Sequence, residues 1–358
     1  MRVEIYSTSL KKAMKVFEPI ASNVEECIIN FSFLGNSIIF ETSYSDILVK
    51  WVSDCEQVLE GEEGSFNLNE LNLILKKWRK NTLLSLHSNN GVISLMDSNM
   101  ESFQLVNFPK PILNQFRNEG IPLVSMSAEL FNRSLAEVLR TVSDNHSFEV
   151  FQWIKWKVTD NQFNLLSCDS MNLTIKSIDA PYCKNSVAFY MQKKDVKLMK
   201  MIIASTSEQS LSFFKSQDFL IIKGNQLTIC MKVAELKDRP FEKMRHSEGT
   251  VYDFNIEYAL NVVKDQLEKF PEGNKNKLAN SMVEVIAVDG DSLSYRYSGD
   301  VKGKTEQSFS CKELNALLKD SGKTKMWKLL IPDDNIKPAL IFYEEENARF
   351  ERFCFLTY

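Results

Sequence analysis

The stretch SLKKAMKVF, Ser9–Phe17, places Leu10, Met14 and Phe17 at i, i+4 and i+7, the spacing of an amphipathic helix with one apolar face. It recurs in kind about 120 residues later as ELFNRSLAEVL from Glu129, and again as IEYALNVVKDQLEKF from Ile256. A second helix follows each of these: LNELNLILKKW from Leu68, QKKDVKLMKMI from Gln192 and CKELNALLKD from Cys311. Between the helices lie runs of alternating hydrophobicity. Ile28–Trp51 turns at Leu34-Gly35-Asn36, Trp153–Ile178 turns at Thr159-Asp160-Asn161, and Met282–Gly299 turns at Val288-Asp289-Gly290-Asp291. Each second helix leads into a further hairpin: LLSLHSNNGVISLM, SLSFFKSQDFLIIKG and WKLLIPDDNIKPALIFYE. One unit of two helices against antiparallel strands is therefore written three times, which predicts an α+β chain of three tandem similar domains. A unit this long exceeds the ~20–50 residues of a solenoid repeat.

The whole chain of 358 residues exceeds the ~250–300 at which one core splits. Stretches rich in Pro and Gly at Asn107–Pro122 and Asp238–Thr250 mark boundaries, giving domains at 1–119, 120–248 and 249–358. No apolar run reaches the ~18–20 residues of a membrane span, and the N-terminus lacks the apolar core of a signal peptide, so a cytoplasmic protein with no membrane contact is expected. Seven scattered cysteines without a CxxC pair suit reduced thiols, and three distant histidines leave no metal or Ser/His/Asp spacing. No glycine-rich phosphate loop is present either, so a non-catalytic protein without cofactor or metal is expected, and an enzyme with an unrecognised site is the remote alternative.

The net charge of −4 is unevenly placed. Residues 9–17, 68–80 and 192–203 each carry +3, through Lys11, Lys12 and Lys15, through Lys76, Lys77, Arg79 and Lys80, and through Lys193, Lys194, Lys197 and Lys200. The helices at 129–141, 256–270 and 311–320 carry 0, −1 and 0. The six helices thus hold +8 and the remainder −12. Positive helices on an acidic body suit a protein that holds a polyanion on one surface and repels it elsewhere. Lysines also simply solvate exposed helical faces, and the third repeat does not share the bias.

Three tandem units of this plan resemble the bacterial sliding clamp, the DNA polymerase III beta subunit family. The resemblance covers the whole chain and is strongest across PLVSMSAELFNRSLAEVLRTVSDN, LLSCDSMNLTIKSI and SVAFYMQKKDVKLMKMI in the middle third. It implies a head-to-tail homodimeric ring that encircles double-stranded DNA without reading sequence, helices inside and sheets outside. Its partners would be a DNA polymerase and a clamp loader, bound through short peptide motifs. The lumen set would be Lys11, Lys12, Lys15, Lys76, Lys77, Arg79, Lys193, Lys194, Lys197 and Lys200. The loop after the first helix, where the family often has arginine, reads Asn23, Val24, Glu25, Glu26 and implies weaker phosphate contact there.

The resemblance also implies a partner-peptide groove between the second and third domains. One wall falls on Cys168, Asp169, Met171 and Leu173, where Asp169 and Leu173 agree with the family and its Gly-His-Arg centre is absent. Other walls fall on Pro240, Phe241 and Arg245, and on Phe353, Cys354, Phe355 and Leu356, with Phe151 at the border. Ring closure would bring Phe103 and Leu105 of one subunit to Phe270 of the other. Interior packing accounts for Phe353, Phe355, Phe103, Leu105 and Phe270 equally well. The altered groove and neutral third repeat also leave open a clamp-fold interaction protein, or a specialised paralogue, that has lost general loading onto DNA.

Overall fold

The computed structural model describes residues 2–60, 63–78, 81–89, 91–109, 120–144, 149–159, 161–169, 172–180, 186–236, 248–268, 281–288, 292–298, 308–321, 326–332 and 337–354. The expected repetition is present in the element order. The first run is β1 (Arg2–Tyr6), α1 (Ser7–Ala21), β2 (Ile28–Leu34), β3 (Ser37–Tyr44), β4 (Ile47–Asp54), β5 (Gln57–Glu60), β6 (Gly64–Asn67), α2 (Leu68–Leu75), β7 (Leu83–Asn89), β8 (Val92–Asp97) and β9 (Ser102–Val106). The second is β10 (Ile121–Ser127), α3 (Ala128–Leu139), β11 (Trp153–Thr159), β12 (Asn161–Cys168), β13 (Asn172–Ala180), β14 (Val187–Gln192), α4 (Lys193–Ala204), β15 (Ser210–Ser216), β16 (Phe219–Lys223) and β17 (Leu227–Lys232). The third is β18 (Thr250–Asp253), α5 (Ile256–Glu268), β19 (Met282–Val288), β20 (Ser292–Ser298), β21 (Ser308–Ser310), α6 (Cys311–Ser321), β22 (Lys328–Ile331), β23 (Ala339–Glu345) and β24 (Ala348–Cys354). After each second helix the hairpin expected from sequence is a three-strand meander, completed by β9, β17 or β24.

Those third strands matter most for assembly. The chain forms two compact units, residues 1–132 with 194–234, and residues 133–193 with 235–358. The first unit holds a five-stranded sheet, β5-β1-β7-β8-β9, and an eight-stranded sheet, β10-β15-β16-β17-β4-β3-β2-β6. The second holds an eight-stranded sheet, β14-β11-β12-β13-β24-β23-β22-β18, and a three-stranded sheet, β20-β19-β21. Each large sheet is a seam between successive repeats. The last strand of one repeat lies antiparallel on the third strand of the repeat before it, β17 on β4 from Leu227↔Trp51 to Met231↔Ile47, and β24 on β13 from Asn172↔Cys354 to Ile178↔Ala348. The units therefore cut through the middle repeat, because continuous backbone ladders bind its halves to its neighbours.

Local chemistry explains where the helices begin. Asn67 caps α2, its Oδ1 accepting from the backbone N–H of Asn69 at 2.9 Å and of Glu70 at 3.4 Å. Helix α1 has no side-chain cap, and the residue just before β7 serves its first turn instead, with Ser7 N–H donating to the Thr82 carbonyl at 2.8 Å. Pro19 sits in the last turn of α1, where its missing N–H costs a single bond. Leu10, Met14 and Phe17 are fully buried, as their spacing requires, and α1 packs on α2, whose Leu71 and Leu75 are buried as well. In the second unit Ile256, Leu260 and Val263 of α5 meet Leu314 and Leu317 of α6 over Trp327, Tyr343 and Phe350.

Candidate functional site

Two surfaces collect the residues singled out by sequence. The first, in the first unit, is an open concavity of about 1000 Å³ lined by Lys11, Lys12 and Lys15 of α1, by Asn69, Leu73 and Lys76 along α2, and by Ser205–Ser207 just beyond α4. Four lysines line one open hollow and Glu18 is the one acidic residue among those lining it, so the hollow attracts anions. The four differ in freedom. Lys11 donates to the Trp78 carbonyl beyond the end of α2, where a cation also complements the helix dipole. Lys12 lies over the Trp51 ring, 5.6 Å from its centroid, and reaches Gln226 Oε1 at 3.4 Å. Lys15 and Lys76 are exposed and form no ion pair or hydrogen bond with another described residue.

The remaining expected cations divide. Lys77 points away from the hollow, with its Nζ 4.0 Å from the centroid of the Phe103 ring. Lys193 is anchored within the second unit, donating to the Val142 carbonyl and pairing with Asp144 at 3.0 Å. Its charge is therefore already committed. Lys194 and Lys197 are exposed on α4 and Lys200 is half-buried. Asp195 lies among them, its carboxyl held above the usual range by burial, which outweighs the pull of Lys194. Arg79 falls outside the described residues.

The second surface, in the second unit, is a small apolar cluster on the face of the large sheet away from the α5–α6 core. Leu166 and Cys168 of β12, Leu173 and Ile175 of β13, Leu330, Leu340, Phe342 and Phe353 form it, and half-buried Phe151 packs against it. Four expected groove residues, Phe151, Cys168, Leu173 and Phe353, thus come together. Phe353 and Leu173 are completely buried, so they form the floor, and Phe151 is the accessible edge. Strand alternation places Cys354 on the opposite face, against the helix core, and burial pushes its thiol up to about 12. On that helix-facing side a polar group joins β13 and β24 to α6: Asp169 accepts from Asn172 N–H at 2.7 Å, Asn172 Nδ2 reaches Glu313 Oε1 at 3.3 Å, and Arg352 pairs with the same oxygen at 3.3 Å. Met171, Pro240, Phe241, Arg245, Phe355 and Leu356 lie outside the described residues. The sequence reading missed Leu340 and Phe342. Their signal was the unbroken apolar run ALIFY in β23, which marks a strand covered on both faces.

Of the expected ring-closing residues, Leu105 is buried in the first unit and Phe103 is half-buried, edge-on to Trp78 at 5.2 Å between ring centroids. Both have interior partners, while the strand that carries them, β9, is the edge of its sheet with Val106 exposed. Phe270 lies outside the described residues. Among the described residues no cluster of His, Cys, Asp and Glu could hold a metal ion, and no helix is long and apolar enough to cross a membrane.

No family model matches the chain, and no curated protein matches it in sequence. Solved structures do. The DNA polymerase III subunit beta from Pseudomonas aeruginosa aligns over 100% of both chains at 12% identity with a TM-score of 0.76. The Helicobacter pylori beta clamp bound to a DNA ligase peptide aligns over 100% of both at 13% identity with a TM-score of 0.75. The DNA polymerase III beta subunit from Thermotoga maritima aligns over 100% of both at 10% identity with a TM-score of 0.74. Across its full length this chain has the fold of the bacterial DNA polymerase III beta subunit, the sliding clamp.

Proposed function

We propose that the chain is a non-catalytic sliding clamp. Two copies, each of three domains at 1–119, 120–248 and 249–358, join head to tail around double-stranded DNA, and a DNA polymerase and other partners dock by short peptides at the apolar cluster around Phe151. The observation that carries this reading is the convergence of Lys11, Lys12, Lys15 and Lys76 on one hollow. Such a surface attracts phosphate without presenting the rigid, base-directed groups that sequence readout needs, so the bound duplex stays free to slide. Edge strand β9 supports the dimer, because among the described residues it pairs only with β8, whereas β17 and β24 each also pair with a strand of the preceding repeat. The peptide site rests on the cluster's half-buried edge at Phe151 and on the ligase peptide held by the Helicobacter pylori clamp.

The test is the retention of purified protein on nicked circular DNA in the presence of a bacterial clamp loader, comparing wild type with a Lys12→Glu, Lys15→Glu, Lys76→Glu variant. Loss of retention with an unchanged unfolding curve supports the reading. Retention equal to wild type removes the hollow from DNA binding, and a wild type that is never retained favours a clamp-fold interaction protein without general loading.

A further inference from the structure

The walls of the anion-attracting hollow come from two repeats. Its lysines stand on α1 and just beyond the end of α2 in the first repeat, while Ser205, Thr206 and Ser207 follow α4 of the second. The next residue, Glu208, places its carboxylate against the turn between β16 and β17. Its Oε2 accepts from Asn225 N–H at 2.7 Å, and its Oε1 accepts from Gln226 N–H at 2.8 Å and from Leu227 N–H at 3.1 Å. Three successive N–H groups form a cradle for an anion, and hydrogen bonds to a charged acceptor are the stronger kind. Gly224 makes the close approach possible, since a Cβ there would stand 2.5 Å from Glu208 Cδ and 2.6 Å from Oε2.

The segment that Glu208 holds reaches the first repeat twice through Gln226. The Gln226 carbonyl accepts from Val52 N–H beside β17 at 2.8 Å, and its side-chain Oε1 lies 3.4 Å from Lys12 Nζ. Lys12 is exposed on α1, with its Nζ 5.6 Å from the centroid of the Trp51 ring. Trp51 in turn is paired across the first seam with Leu227, the last residue of the cradle. Gln226 is thus the hydrogen-bonding neighbour that steadies the Lys12 ammonium on the hollow's wall, and Glu208 fixes Gln226. A lysine already steadied in this way loses less rotamer freedom when it meets a phosphate.

We propose that Glu208 is a positioning residue for the hollow: by clasping the β16–β17 turn it holds Lys12 where a backbone phosphate meets it, so that an acidic side chain strengthens the grip on a polyanion. The inference rests on the DNA reading and adds to that surface a residue of the opposite charge. Its sign sets it apart from simple electrostatics. Through space, a carboxylate near the lysines repels DNA, and neutralising it tightens binding. Through the turn, neutralising it frees Lys12 and loosens binding.

The test is binding of a short DNA duplex by the full chain across a range of salt concentrations, with urea unfolding measured alongside. Glu208→Gln removes the charge, whereas Gly224→Ala keeps it and pushes the carboxylate out of its cradle. Both are expected to raise the dissociation constant about fivefold and to lower the slope of log affinity against log salt by up to about one, as Lys12→Ala does. In a Lys12→Ala background either change is expected to add almost nothing, a coupling that general destabilisation does not produce. Affinity unchanged or raised by Glu208→Gln, or losses that add in full to that of Lys12→Ala, overturns the positioning role and leaves the DNA reading standing. Equal duplex affinity of the wild type and the Lys12→Glu, Lys15→Glu, Lys76→Glu variant overturns the DNA reading and this inference with it.

Discussion

Lys176 and Glu137 form an ion pair in the interior of the second unit, Nζ to Oε2 3.1 Å, with the two side chains 0% and 3% exposed. The pair joins β13 to α3, and Tyr343 of β23 completes it, its hydroxyl donating to Glu137 Oε1 at 2.5 Å and accepting from Lys176 at 3.0 Å. A buried charge with its partner removed costs about 3–5 kcal/mol, whereas an apolar replacement of both partners is often near neutral. Lys176→Met is therefore expected to destabilise strongly, and a Lys176→Met, Glu137→Leu double variant much less. Urea unfolding of the three proteins measures the difference.

The same group sets a pH dependence. Burial and the neighbouring Glu137 carboxylate hold the Tyr343 phenol well above its ordinary value of 10.0. A raised acid contributes stability that is intact below pH 10 and is lost as the pH climbs beyond it, because the unfolded chain releases that proton first. Tyr343→Phe is expected to cost about 1–3 kcal/mol at neutral pH, through the unmet Glu137 and Lys176 groups, and to flatten the decline above pH 10. Stability curves from pH 7 to 11 test this.

Three buried thiols act in the same direction at lower pH. Burial pushes Cys27, Cys230 and Cys311 from 9.0 up to about 11. Their contribution is complete below pH 9 and fades between about 9 and 11. At pH 8 a thiol reagent is expected to modify half-buried Cys55 before any of these three, and to reach them only on unfolding. Mass spectrometry of a modification time course resolves the order.

At the apolar cluster two phenylalanines separate folding from binding. Phe353→Ala empties a fully buried site and is expected to cost about 3–5 kcal/mol. Phe151→Ala is expected to leave the unfolding midpoint nearly unchanged and to weaken binding of a clamp-binding peptide about tenfold or more. Equal peptide affinity for wild type and Phe151→Ala would move the docking site elsewhere.

The sequence showed the repeat and the helical faces because both rest on local periodicity: Leu10, Met14 and Phe17 could only share one side of a helix. It did not show the seams, since alternation in LTICMK reveals a strand and says nothing of its partner on β4. Nor did it separate Lys15 from Lys193. Both read as cations on a helical face, and only the approach of the Val142 carbonyl and Asp144, supplied by the loop after α3, commits one of them. Lys176 was unreadable for the same reason, a single lysine in the strand NLTIKSIDA whose counter-charge arrives from α3.

That difference between lysines predicts a graded salt response. Lys15→Ala and Lys76→Ala are each expected to reduce the slope of log affinity against log salt for duplex DNA by about one, and Lys193→Ala to leave it unchanged. Binding isotherms at several salt concentrations give the slopes.

The central claim is that the protein holds DNA by enclosing it. The direct measurement is release of loaded protein when its nicked circular DNA is linearised by a single cut. Enclosure predicts stable retention on the circle at a salt concentration that dissolves ordinary phosphate contacts, followed by loss from the cut ends. Equal retention on circle and line, or equal loss from both, would contradict it.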